Sequence, residues 1–198
     1  MSREDQRTDN QLVAEANAGD PAAFEALYFR YRDWVARLAY RYTRNRDDAL
    51  DAMQETFVYL LRKFPGFQLT ASMTTFLYPT VKHIAVRLAQ NRRRVIVSDE
   101  VLATAPEAAS KDTPDTREDL ARVMAALPES QREIVLMRFL DDLKLREIAE
   151  ALDLPLGTAK SRLHKALKTL REDPLTRRYF LGDEDEIENR ESKVENRK

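Results

Sequence analysis

"REIAEALDLPLGTAKSRLHKALKTLRE", residues 146–172, is the stretch on which the reading of this chain turns. Within it Ala159, Leu163, Ala166, Leu167 and Leu170 recur at i, i+4, i+7, i+8 and i+11, the spacing of one face of an α-helix. Lys160, Ser161, His164, Lys165 and Lys168 fall together on the opposite face. From Thr158 to Arg171 there are five Lys and Arg residues and no acid. Water accepts charge of either sign, so a face carrying only one sign points to a polyanionic partner. Asp153–Pro155 reads as a tight turn and residues 146–152 as a short helix before it. Together they make a helix-turn-helix, whose second helix enters the major groove. Lys160 and Lys165 are then candidates for guanine edges, Ser161 and His164 for other base edges, and Thr158, Arg162 and Lys168 for phosphate oxygens.

The remainder of the chain removes most other classes of function. Its 198 residues are 43% apolar and 34% charged, and no window approaches the roughly eighteen uninterrupted apolar residues of a membrane span. "MSREDQRTDN" has no apolar core of the signal-peptide kind, so a cytoplasmic chain without membrane insertion is expected. The absence of cysteine excludes disulfides, a thiolate nucleophile and a sulfur-ligated zinc site, and His83 and His164 lie far apart in sequence. No metal and no cofactor is expected. The four glycines fall in no phosphate-cradling pattern and no Ser, His and Asp grouping stands out, which argues against an enzyme. The net charge of −1 conceals a segregation: Pro79–Arg94 carries Lys82, Arg87, Arg92, Arg93 and Arg94 and no acid. A second basic helix is therefore expected.

These patterns predict an all-α protein of two small helical domains joined by a flexible linker. The first domain spans residues 10–94, the Pro-containing and acidic linker 95–117, the helix-turn-helix domain 118–173, and a charged tail 174–198. In the first domain Asp20 is an N-cap followed by Pro21, opening a helix with Phe24, Leu27, Tyr31, Trp34, Leu38 and Tyr42 inward. A second helix begins near Asp47 and turns Met53, Phe57, Leu60, Leu61 and Phe64 inward. Its outer face shows Asp51, Gln54, Glu55 and Val58, and residues 45–58 carry a net charge of −3. Acids in the first turn favour the helix dipole, but Asp51 and Glu55 lie too far in for that. A third helix buries Leu77, Val81, Ile84, Ala85 and Leu88 and exposes Thr80, His83, Arg87, Gln90 and Arg94. At Pro79 either a short turn ends at Tyr78 or the helix bends, and the bend is expected.

At these residues the chain resembles a known family. Residues 146–172 are similar to region 4 of the extracytoplasmic-function sigma factors, whose signature runs close to EIAE-x-L-x-(V/L)-P-x-GT(V/A)KSRLHRA, and "DDALDAMQETFVYLLRKF", residues 47–64, is similar to region 2.2, usually near DAED-x-x-QE-x-F. The resemblance implies a dissociable subunit that directs bacterial core RNA polymerase to promoter DNA. It implies that Asp48, Asp51, Gln54 and Glu55 bind the basic clamp helices of the largest polymerase subunit, and that the second domain meets the flap of the second-largest. Phe67, Gln68, Lys82, His83, Arg87, Asn91, Arg92 and Arg94 are implied at the minus-ten element, where a base is extruded. Thr158, Lys160, Ser161, Arg162, His164, Lys165 and Lys168 are implied at the minus-thirty-five element.

Departures from the family pattern set further expectations. Leu50 stands where the family signature has its glutamate, so one charge of the clamp contact is missing. Phosphorylation of nearby Thr56 would add about −1.5 to −2 charge, which makes a kinase, beside an anti-sigma factor, an expected regulator. His83 and Arg87 occupy positions where relatives carry Asn and Asp, and Phe76 replaces a common Trp, so minus-ten preference does not transfer. The alternative reading is a stand-alone dimeric helix-turn-helix regulator, which predicts a palindromic site bound without polymerase.

Overall fold

A computed structural model describes residues 5–99, 121–174 and 176, the side chains of 95–99 excepted. Among these residues the regular elements are helices: α1 (Asp9–Asn17), α2 (Pro21–Thr43), α3 (Arg46–Leu61), α4 (Met73–Asp99), α5 (Glu129–Phe139), α6 (Leu145–Ala151) and α7 (Leu156–Glu172), with residues 121–126 also helical. By contact they fall into two units, α1–α4 with residues 146–154, and the rest. The sequence reading places residues 146–154 with α7 instead. None of the described helices is long and apolar enough to cross a membrane.

Local chemistry explains where each helix of the first unit starts. Thr8 and Gln11 form a reciprocal capping box at α1, a helix that the sequence reading does not assign although "TDNQ" carries its signal. Asp20 accepts from the Ala22 amide at 2.9 Å to open α2, and Asn45 accepts from both the Asp47 and Asp48 amides at 3.0 Å to open α3. Ser72 opens α4, its hydroxyl accepting from the Thr75 amide at 3.2 Å.

Helices α2, α3 and α4 pack on one another, with α1 against α2. Leu12, Leu27, Leu38, Leu60, Met73, Leu77 and Tyr78 are fully buried, each large aliphatic contributing about 1.5–3 kcal/mol by leaving water. The seam of α2 runs through Ala23, Leu27, Val35, Leu38 and Ala39; the expected aromatics Phe24, Tyr31, Trp34 and Tyr42 are only half-buried. Alanines let neighbouring backbones approach, whereas a Tyr ring rests at the rim where its hydroxyl finds a polar partner. Tyr42 does so with the Tyr78 hydroxyl at 2.8 Å.

Two further expectations are corrected. Leu61 is 52% exposed, because α3 ends there and the chain turns, the Lys63 amide bonding the Leu60 carbonyl at 3.0 Å. Of the two alternatives at Pro79, an end at Tyr78 is not taken: helix α4 runs through Pro79, at the cost of one backbone bond. It also continues to Asp99, so residues 95–99 of the expected linker are helical. Residues 100–117 of that linker, and 177–198 of the expected tail, lie outside the described residues.

In the second unit α5 packs against α7. Arg132 of α5 donates to the carbonyls of Met124 and Ala125 at 2.7 Å and of Leu127 at 2.9 Å. The Met124 carbonyl also takes the Leu127 amide at 3.3 Å, so Arg132 adds a side-chain donor at the end of the helical residues 121–126, where backbone donors run out. Within residues 146–154, which group with the first unit, the turn after α6 is fixed by its backbone: the Leu154 amide bonds the Ala149 carbonyl at 2.8 Å and Asp153 has φ 51°, a left-handed conformation that Asp tolerates better than most residues.

Candidate functional site

Helix α3 presents its acids as the spacing of its apolar residues requires. With Ala49, Ala52, Phe57 and Leu60 inward, Asp51, Gln54 and Glu55 are exposed and line an open groove with Val58, Tyr59, Arg62 and Ile84. Leu50 and Val58 are 43% and 46% exposed on the same side. The face is therefore acidic with an apolar stripe, suited to a basic partner that also offers aliphatic stems.

Asp48 differs from the other three candidates on this helix. It is mostly covered and receives Arg92 of α4 at 3.3 Å. Glu55 is likewise paired with Arg87. Two acids expected to face polymerase are thus bonded to two arginines expected to face DNA. Thr56 is wholly buried and its hydroxyl donates to the Ala52 carbonyl at 2.7 Å. A kinase has no access to it in this fold, and the expectation of phosphorylation there is withdrawn.

The loop between α3 and α4 also corrects the sequence reading. Phe67 is 7% exposed, its ring 5.5 Å from Phe64 and 4.7 Å from Phe76 by centroids. Its side chain is core, because three aromatic rings bury more area together than one would gain in solvent. Gln68 is exposed. Asn17, which the sequence reading passed over, holds this loop: its side-chain oxygen accepts from the Gly66 amide at 2.6 Å and the Phe67 amide at 3.0 Å, and its nitrogen donates to the Phe67 carbonyl at 2.8 Å. Nothing local in the sequence signals a contact of fifty residues' separation. Tyr59 was missed too; it lies near-parallel to Phe76 at 6.4 Å, with the Lys63 ammonium 4.6 Å from its ring.

On α4, His83, Arg87, Asn91, Arg92 and Arg94 are exposed, and Lys82 is half-buried with its ammonium 5.9 Å from the Tyr42 ring. Leu77, Val81, Ile84 and Ala85 face inward as expected, while Leu88 is only half-buried.

Helix α7 keeps the two faces of its sequence reading, although Leu167 and Leu170 of the apolar face are only half-buried. Ala159, Leu163 and Ala166 are buried; Lys160, Ser161, His164, Lys165 and Lys168 are exposed, and Thr158 and Arg162 half-buried. Lys168 lies 3.8 Å from Glu172 of its own helix. Among the described residues no acid pairs with Lys160, Arg162 or Lys165.

Comparison with known proteins adds three findings. Residues 27–95 match Sigma-70 region 2 and residues 117–170 match Sigma-70, region 4, the latter spanning both α6 and α7. The chain is 32% identical over 180 residues to the ECF RNA polymerase sigma-E factor of Haemophilus influenzae, covering 82% of this chain and 93% of that one. It is 33% identical over 139 residues to RNA polymerase sigma factor SigV of Bacillus subtilis, covering 68% and 81%. In fold it is similar to CnrH, solved in complex with the cytosolic domain of CnrY, at a TM-score of 0.60 and 20% identity over 81% of this chain and 93% of that one. The sigma factor RpoE of Bartonella quintana, solved with the anti-sigma factor NepR, gives 0.55 and 19% over 75% and 94%.

Proposed function

The chain belongs to the extracytoplasmic-function sigma factors of RNA polymerase, and on that premise we propose that its exposed faces divide the work of promoter-specific initiation. Asp51, Gln54 and Glu55, with Leu50 and Val58 beside them, dock α3 on the basic clamp helices of the largest polymerase subunit. Asp48 contributes through its pair with Arg92 and not as a bare charge. The loop carrying Gln68 and the exposed side of α4, His83, Arg87, Asn91, Arg92 and Arg94 with Lys82, handle the minus-ten element. Extruding a base there costs a few kcal/mol of stacking, which a pocket and ring contacts offset. Phe67 serves this part from within, by holding the loop.

Helix α7 reads the minus-thirty-five element as duplex, with Lys160, Ser161, His164 and Lys165 towards base edges and Thr158, Arg162 and Lys168 towards phosphate. The observation that carries this reading is the two-faced α7 itself, Ala159, Leu163 and Ala166 buried and Lys160, Ser161, His164, Lys165 and Lys168 exposed. Phe139 and Leu140, 62% and 67% exposed at the end of α5, support a contact of residues 118–173 with the flap of the second-largest subunit. An anti-sigma factor, which RpoE of Bartonella quintana binds as NepR, is the regulator this reading expects.

Titrating the full chain with core polymerase and a promoter library tests the proposal. Specific initiation should require core and chain together. Selection of a palindromic duplex by the chain alone, or failure to bind core, would overturn it.

A further inference from the structure

We propose that Asn17 is a positioning residue of promoter opening, holding the loop after α3 in the one shape that presents residues 68–71 to an extruded base. The proposal rests on the assignment of that loop to the minus-ten element and adds to it a residue of α1, which lies before the residues matching Sigma-70 region 2.

Asn17 itself is well fixed. It is the last residue of α1, and the turn beyond it is closed by bonds from the Ala18, Gly19 and Asp20 amides to the Ala14, Ala16 and Glu15 carbonyls, each 3.1 Å. Its side chain spends its hydrogen bonds on loop backbone. The oxygen takes the Gly66 and Phe67 amides and the nitrogen takes the Phe67 carbonyl. Gripping both the N–H and the C=O of one residue fixes the orientation of two peptide planes. The Phe67 ring, seated between Phe64 and Phe76, fixes the same residue from its other side. Gly66 has φ 103°, a conformation that a side chain would oppose.

The far end of the loop has its own anchor. The Ser72 hydroxyl lies 2.7 Å from that of Thr75 and 3.0 Å from that of Thr74, and Thr75 is buried. Between the two anchors only residues 68–71 remain, with Gln68 and Thr70 exposed. Each residue left free to choose its backbone conformation costs conformational entropy to order. A short segment pinned at both ends has most of that ordering done before DNA arrives, which favours capture of a base.

The test uses the full chain in complex with core polymerase, on promoters carrying single-base changes through the minus-ten element. Asn17→Ala removes all three bonds, so discrimination at one position of the element should fall about tenfold. Asn17→Asp keeps an acceptor for both amides but sets a carboxylate oxygen against the Phe67 carbonyl that the Asn17 nitrogen serves, and should recover only part of the loss. Core affinity should stay within about twofold for both variants, because the docking face on α3 is separate from α1. Discrimination by Asn17→Ala equal to that of the natural chain would overturn the proposal, and so would a loss of core affinity in step with discrimination, which marks general damage to the fold. A natural complex showing no base preference anywhere in the minus-ten element would overturn the loop assignment itself, and this proposal with it.

Discussion

The two basic helices carry similar charge and keep it in different states. On α4, Arg87 and Arg92 are already bonded to Glu55 and Asp48 of α3, and Lys82 sits near the Tyr42 ring. On α7, Lys160 and Lys165 are exposed, and no acid among the described residues pairs with them. Under the proposed roles α7 would meet duplex DNA with Lys160 and Lys165 free of acids, while α4 would exchange carboxylate for phosphate at Arg87 and Arg92. The exposed Arg87–Glu55 pair is worth only about 0.2–1 kcal/mol, so exchange there is easy, and the mostly covered Asp48 holds Arg92 more firmly. Under the proposed docking of α3, a basic polymerase surface would claim the same acids, and engagement of DNA by α4 would then be tied to engagement of polymerase by α3.

The largest effect should come from reversing a charge on the acid side of this contrast. Asp51→Lys should weaken core binding by about two orders of magnitude or more, since like charges brought together cost several kcal/mol. The chain's helical circular dichroism should stay unchanged, and normal affinity in a core titration would break the assignment of α3. Next, Lys165→Ala should cost about 1–3 kcal/mol at one minus-thirty-five position; equal losses on every sequence would make it a phosphate contact.

Arg87→Ala should cost less than Lys165→Ala when both are measured in the complete complex, because part of what Arg87 offers DNA is already spent on Glu55. A larger loss would erase the difference between the helices. Counterion release sharpens the same point: removing Lys160 or Lys165 should lower the salt slope of promoter binding by about one unit each, and removing Arg87 by less.

Acid provides the smallest test, through Asp5 of the first unit. Hydrogen bonds from Arg7 hold the Asp5 carboxyl down to about 2 from its ordinary 3.8. The folded pKa is depressed, so the contact is fully present above about pH 3.8 and is lost as pH falls through about 2. Comparing melts at pH 4 and pH 2 by amide signals of residues 5–9 should show this strap loosening while α7 is unaffected through this group.

Several parts of this protein were legible without coordinates. The starts of α2 and α3, the outward set Asp51, Gln54 and Glu55, and both faces of α7 follow from a period of 3.6 residues and from capping chemistry within a few positions. Phe67 and Thr56 were misread because periodicity and exposure part company near helix ends and at polar residues. Phe67 lies beyond α3 in a loop, where no period applies, and its fate was settled by Phe64 and Phe76 offering a place for the ring. Thr56 sits on the buried side of α3, where a hydroxyl that returns its bond to the carbonyl four residues earlier loses little by burial.

The sequence by itself therefore determined the starts of α2 and α3, the outward acids of α3, the cationic face of α7 and the family the chain joins, since all of these rest on residues a few positions apart. Tertiary structure alone decided which charges meet and what shapes the loop. Glu55 and Arg87 are 32 residues apart, and Asn17 and Phe67 are 50 apart. Such pairings depend on how α1, α3 and α4 pack, and a helical repeat specifies the face a side chain takes, not the distant residue that waits there.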